Sequence, residues 1–245
     1  MKIVAVANSA GGSGKTSTAH ALAVAASEYG QKVLLIDAAP EASLTFALGV
    51  ENPRFTLKEV LSGEFSLEIA LIQSKERFSF LPSSERLASI ETLGPKPLAE
   101  ILDTVVNFDL VIVDTESRFT ILTQEFFKIA DLVISPTSSE IFSIRGVLHV
   151  KDYLSSFESL ALHRCIFIQS NIREKEDLET EPNFQELLET IFTSVPLLEP
   201  TIEKSPLIPQ AQLLGVSVLT TSKDSVVAAQ YREIGYSILE ELKLM

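Results

Sequence analysis

Residues 9–17 read Ser-Ala-Gly-Gly-Ser-Gly-Lys-Thr-Ser, and this run restricts the chain's possible folds more than any other stretch. Glycines at this density let backbone N–H groups turn inward around an anion. Before the run, Lys2 to Ala7 reads as a short apolar strand. After it, Lys15 to Tyr29 is alanine-rich and stops at Gly30, a good helix terminator. A glycine-rich loop between a strand and a helix N-terminus cradles phosphates, because the helix end adds positive potential to the exposed N–H groups. Gly11, Gly12, Ser13 and Gly14 with Ser17 form the expected cradle. Lys15 is expected to reach the outer phosphates, and the Thr16 hydroxyl to ligate Mg²⁺. The strict spacing asks for glycine at position 9, where Ser9 stands. The plainer reading, a glycine-rich turn that binds nothing, has to set aside both the flanking elements and the intact Gly-Lys-Thr.

The remaining apolar runs follow the same rhythm. Lys32 to Asp37, Asp109 to Asp114, Asp131 to Ser135 and Arg164 to Gln169 are rich in Val, Ile and Leu without polar alternation. Parallel strands covered on both faces read this way. Helical patterns separate them: Leu98 to Val106 after Pro95 and Pro97, Ile141 to Leu160, Phe184 to Phe192, and Ser225 to Leu242. The alternation predicts an α/β fold with a doubly wound, mainly parallel sheet and helices on both faces, the P-loop NTPase arrangement. With 245 residues, 46% of them hydrophobic, one domain spanning 1–245 is expected. Glu174 to Glu181 reads as a solvated acidic loop.

A phosphate cradle that uses a metal needs a carboxylate at a neighbouring strand end. Asp114 closes Leu110-Val111-Ile112-Val113, and Asp37 closes Val33-Leu34-Leu35-Ile36. Each could instead cap the following turn; the cradle favours the metal reading for both. Other classes recede. The lone Cys165 excludes a disulfide framework or a multi-cysteine metal site, and its apolar flanks suggest a packed thiol. No stretch approaches the roughly 20 apolar residues of a membrane span, and the start is too short for a signal peptide, so a cytoplasmic protein is expected. A net charge of −13 argues against strong DNA binding, which needs a cationic face.

Asn8 to Ala19 (NSAGGSGKTSTA) resembles the deviant Walker A motif of the ParA/MinD family of partitioning and positioning ATPases, whose usual form is KGGxGKT followed by Ser or Thr. Val33 to Gly49 is similar to that family's second strand and the segment after it, and Phe108 to Thr115 (FDLVIVDT) to its Walker B strand. Lys204-Ser205-Pro206 through Ala211, Gly215 and Val218 resembles the segment before its last helix. The resemblance spans nearly the whole chain. It implies ATP and ADP as ligands with Mg²⁺, a homodimer with ATP at the interface, and base contacts from Asn171 and the backbone near Pro196. Asn171 also reads as an ordinary turn residue.

The departures fall on function. The family's signature lysine is matched by Ala10. Its Asp-x-Asp-Pro-Gln is matched by Asp37-Ala38-Ala39-Pro40-Glu41, so the acid implicated in positioning the attacking water is Ala39. Phosphoryl transfer depends on positioning and electrostatics, so hydrolysis is expected to be weak or absent while binding survives. Lys15 and Asp37 remain catalytic candidates. Glu116, where the family has proline, could orient water, although a surface glutamate is the plainer reading. Arg118 could touch a phosphate or a partner. The site expectation is Lys15 for phosphate, Thr16 and Asp114 for metal, and Asp37 near a metal-bound water.

Three functions compete. One is a partitioning or positioning switch acting in DNA or cargo segregation. Another is a non-hydrolysing, nucleotide-dependent scaffold or regulator that works through a protein partner. A metabolic or redox enzyme on the same fold is the third, and iron–sulfur chemistry is disfavoured by the single cysteine. Val195 to Ile208, read as loops, carries only Lys204 as a cation, and the C-terminal residues 238–245 are more acidic than basic. A protein partner is therefore expected over DNA or a membrane surface.

Overall fold

The structure, a computed structural model, describes residues 1–90, 96–157, 159–169 and 182–245. Eight strands form one sheet: β1 (Lys2–Val6), β2 (Val33–Ala38), β3 (Ile72–Gln73), β4 (Ser79–Leu81), β5 (Leu110–Thr115), β6 (Leu132–Thr137), β7 (Leu162–Gln169) and β8 (Leu197–Glu203). Their order is β3-β4-β2-β5-β1-β6-β7-β8. Every neighbouring pair is parallel except the β3–β4 hairpin. β1 lies between β5 and β6: strands β2 to β5 fall on one side of it, and the connection from β5 to β6 crosses to the other. Ligands in open α/β sheets bind beyond the carboxyl ends of strands at such a switch point.

The apolar runs are explained by cover on both faces. Along β1, Val4 and Val6 enter one core cluster, while Ile3 and Ala5, with Ala7 just past the strand, enter the other. Helix α1 (Lys15–Glu28) has no amphipathic stripe and is buried on nearly all sides, as an alanine-rich helix held between a sheet and a second helix should be. The second helix is the last, α11 (Val226–Glu241), whose Ala228, Tyr231, Ile234 and Ile238 join the same cluster. A Cβ on Gly235 would meet the Ala25 Cβ at 2.8 Å, so the two helices approach as closely as glycine permits. Cys165 is fully buried beside Ile144, Val147, Ile191 and Val195. Burial pushes its thiol well above the usual range, as expected of a packed, inert cysteine.

Between these elements lie α2 (Ser43–Ala47), α3 (Leu57–Leu61), α4 (Leu67–Ala70), a 3-10 turn (Glu85–Ser89), α5 (Leu98–Asp103), α6 (Ile121–Ile129), α7 (Ile141–Ser156), α8 (Pro182–Ser194), α9 (Leu207–Gln212) and α10 (Val218–Thr221). One segment corrects the sequence reading. Residues 195–208 are not a run of loops, because Leu197–Glu203 forms edge strand β8. Only Leu198 and Ile202 of it are buried, and an edge position tolerates Pro200. The acidic segment 174–181 lies outside the described residues. Among the described residues, no helix is long and apolar enough to cross a membrane.

Candidate functional site

The chain leaves β1 and is pinned at once. The Asn8 amide donates to the carbonyls of Pro136 (2.8 Å) and Ser143 (3.0 Å), and its Oδ1 accepts from the Ala10 N–H at 2.8 Å. The pin depends on Gly146 of α7, where a Cβ would lie 1.8 Å from Asn8 Oδ1. The loop then turns through Gly12 (φ 74°) and Gly14 (φ 91°), a left-handed backbone that side chains resist. At Gly14 a Cβ would also meet Ile168 at 2.7 Å.

Lys15 and Thr16 open α1 and point in complementary directions. The Lys15 ammonium donates to the Asn8 carbonyl (3.0 Å), the Ala10 carbonyl (3.0 Å) and Ser117 Oγ (2.8 Å). Thr16 Oγ1 donates to Asp114 Oδ2 at 2.8 Å. The other oxygen of that carboxylate, Oδ1, is buried with no hydrogen-bond partner, as is Ser13 Oγ. A buried acceptor left unpaired costs free energy unless something fills the position.

Asp37 sits at the same register as Asp114 on the adjoining strand, so both carboxyls project from one end and one face of the sheet. Their environments differ. Asp37 accepts from Ala39 N–H (3.1 Å), Thr45 N–H (2.9 Å) and Thr45 Oγ1 (2.7 Å), which organises the loop between β2 and α2. Burial still raises Asp37 to about 6 against those bonds. Burial, and then the charge of Asp37, pushes Asp114 up to about 8. Burial lowers Lys15 below its ordinary value, although Asp114 and Glu41 oppose the shift.

These groups surround a cavity of about 760 Å³. Its wall includes Gly11 to Ser17, Ala39, Glu41, Asp114 to Ser117, Pro209 and Gln212. Among the described lining residues Lys15 is the one basic side chain. Glu116 lines the cavity half-buried, accepts from Thr120 Oγ1 at 2.8 Å, and is raised by burial. Gln212 reaches Ser17 Oγ at 3.2 Å, and the exposed Phe46 and Leu213 flank the mouth.

The loop, Lys15, Thr16, Ser17, Asp114 and Glu116 are thus together. Asp37 is behind the wall, not on it. Arg118 is exposed and lines a neighbouring cleft instead. Asn171 lies outside the described residues. Pro196 is a correction: its carbonyl accepts from Cys165 N–H at the start of β8, at the sheet end opposite the cavity, so it cannot contact a base there. Asn8, Ser117, Gly146 and Gln212 were missed. Asn8 and Ser117 adjoin the two recognised motifs, but their partners lie 102 to 135 residues away in sequence and no spacing rule finds them.

A parallel sheet ending in a glycine loop, an invading lysine and a threonine–aspartate pair defines a P-loop NTPase fold. The AAA domain family (AAA_31) matches residues 1–164, so the chain belongs to it, and within it to the ParA/MinD-like P-loop proteins. The chromosome-partitioning ATPase Soj of Thermus thermophilus is 35% identical over 147 residues, covering 59% of this chain and 57% of its own. A ParA family protein of Chlamydia pneumoniae is 27% identical and covers 100% of this chain and 98% of its own. Cobyrinic acid a,c-diamide synthase from Mycobacterium smegmatis, solved with ADP and magnesium, superposes with a TM-score of 0.80 at 25% identity, covering 99% of this chain and 96% of its own. The septum site-determining protein MinD from Pyrococcus horikoshii shares the fold at a TM-score of 0.77 and 22% identity, covering 99% and 98%.

Proposed function

We propose that the chain, acting as one domain, is an ATP- and Mg²⁺-binding switch of the ParA/MinD type that dimerises with nucleotide and hydrolyses it slowly or not at all. One observation carries this reading: the phosphate and metal groups are complete, while the positions for the cross-dimer cation and the water-positioning acid hold Ala10 and Ala39. In the proposed site Gly11, Gly12, Ser13, Gly14, Lys15 and Ser17 hold phosphate, and Thr16 and Asp114 hold the metal. The unpaired Asp114 Oδ1 fits a cation, which would supply charge neutralisation between phosphates. Asp37 acts from behind Asp114 by its charge. Glu116 is the candidate water-orienting group.

The dimer has support in the cavity mouth, where Phe46 is 73% and Leu213 85% exposed, an apolar rim that a second copy would cover. Soj is a chromosome-partitioning ATPase by name, and a role in segregating or positioning DNA or another cargo follows that likeness. A net charge of −13 favours a protein partner over direct DNA contact. The scaffold or regulator reading differs only in the complete loss of hydrolysis, and the two alanines favour it. A cytoplasmic setting accords with both.

Single-turnover measurement of ATP cleavage, run beside light scattering with and without Mg·ATP, tests the proposal. Tight binding and a doubled mass with negligible cleavage are expected. Turnover in seconds, or a monomer at saturating nucleotide, would overturn it.

A further inference from the structure

Ser117 has no role in the family resemblance, which puts proline in this part of the Walker B segment, yet its hydroxyl is bonded to the lysine of the phosphate loop. The Lys15 ammonium has three donors, and all three are taken. A phosphate oxygen can therefore reach it only by displacing an acceptor. Two acceptors are backbone carbonyls of the loop itself, held by the buried Asn8 pin. The third is the partly exposed Ser117, on a separate segment across the cavity. Ser117 is the acceptor free to yield.

We infer that Ser117 is the group by which this site distinguishes a nucleoside triphosphate from a diphosphate; the inference rests on the nucleotide-binding reading above. Loop N–H groups of a P-loop cradle the inner phosphates, so a third phosphate extends toward the opposite wall, here Asp114 to Ser117. That wall has two carboxylates and no cation, and Ala10 and Ala39 supply no charge beside it. Once Lys15 turns to phosphate, the Ser117 hydroxyl is left with a proton to donate to the terminal group. A hydrogen bond to a charged oxygen from a partly desolvated wall is among the stronger ones.

The segment is built to pass the difference on. Glu116 accepts from Thr120 Oγ1 (2.8 Å), Thr120 caps α6 by accepting from Thr123 N–H (3.3 Å), and Thr123 Oγ1 donates to the Arg118 carbonyl (3.1 Å). A shift at Ser117 therefore falls on the first turn of α6, where Ile121 is exposed.

Affinities for Mg·ADP and for a non-hydrolysable Mg·ATP analogue are measured by titration calorimetry on wild type, Ser117→Ala and Ser117→Thr. Wild type is expected to prefer the analogue. Ser117→Ala should cut that preference roughly tenfold, and Ser117→Thr, which keeps the hydroxyl, should restore most of it. Hydrogen exchange at residues 117–123 should differ between the two nucleotides in wild type and not in Ser117→Ala. An unchanged preference in Ser117→Ala, or equal weakening of both ligands, overturns the role of Ser117 and leaves the site intact. Failure of wild type to bind either nucleotide overturns the site and the inference together.

Discussion

Thr16 and His20 lie one turn apart on the same face of α1, and each meets a buried carboxylate. The two meetings are built oppositely. His20 Nε2 is 2.6 Å from Glu76 Oε2, with both side chains 2% exposed. The other oxygen of Glu76 accepts from Ser217 N–H (2.9 Å) and from the Thr220 hydroxyl. Burial alone would raise Glu76, but the hydrogen bond and charge of His20, with Thr220 and Ser217, outweigh it and hold the carboxyl below its usual value. Asp114, by contrast, has one oxygen bonded to Thr16, one bonded to nothing, and a second aspartate alongside. Glu76 is a satisfied clamp joining α1, the β3–β4 hairpin and α10. Asp114 is a frustrated group, and a fold tolerates frustration where a ligand is to relieve it.

Breaking the clamp should have the largest effect. Glu76→Ala strands His20 in the core and removes the acceptor for Ser217 and Thr220, at a cost of about 3 kcal/mol or more. Urea unfolding measures it, and a loss below about 1 kcal/mol would make the clamp ornamental. Next comes the satisfied polar group inside the functional site. Gly146→Ala sets a methyl 1.8 Å from Asn8 Oδ1, so Asn8 must leave its three partners. A stability loss of about 1–3 kcal/mol is expected, with a parallel fall in nucleotide affinity because the loop is unpinned. Equal nucleotide affinity in the destabilised variant would show that Asn8 holds the helix and not the loop.

Charge at Asp114 should act in the other direction. An acid whose folded value exceeds its unfolded value of about 3.8 binds more protons when folded. Stability of the nucleotide-free chain therefore falls as pH rises from about 4 toward about 8. Asp114→Asn should lose the part of that fall that extends toward pH 8 and keep the smaller part, ending near pH 6, that Asp37 contributes. Compared with wild type at pH 8 in chelator it should be more stable by about 1 kcal/mol or more, with the advantage gone near pH 4. The same variant should lose most of the stabilisation that Mg·ADP confers on wild type, read as a shift in melting temperature. A variant less stable than wild type across the whole range would place Asp114 among the clamps.

The contrast was half legible in the sequence. β1, β2, β5, β6 and β7 were readable because strands buried on both faces show unbroken apolar runs, and the loop because its glycines sit between a strand and a helix. Asp37 and Asp114 were found as strand-end acids, but that Asp37 faces Thr45 and not the cavity depends on the path of a loop. Glu76 gave no signal, since its partners lie 56 to 144 residues away. β8 was read as loops because only two of its seven residues are buried and Pro200 interrupts it. The family resemblance alone places Pro196 near a base, whereas it stands just before β8, at the other end of the sheet from the cavity. Helices α2, α3 and α4 span five residues or fewer, too short for a period to show.

Ala39 gives the comparison its finest test. Its N–H is bonded to Asp37, and its uncharged side chain is 6% exposed on the cavity wall. Ala39→Asp would add a further carboxylate to Asp37, Asp114 and Glu41, deepening the frustration without touching the clamp. In the nucleotide-free chain the cost should be about 1 kcal/mol, partly relieved by the new group's access to water. With Mg·ATP bound, the added acid faces a cation and a phosphate chain, so the same substitution should raise the single-turnover cleavage rate at least tenfold. Ala10 would remain as the second deficit. A cost in stability with no gain in rate would mean that the missing cation at position 10, and not the missing acid, sets the barrier. The frustration at Asp114 would then serve binding alone.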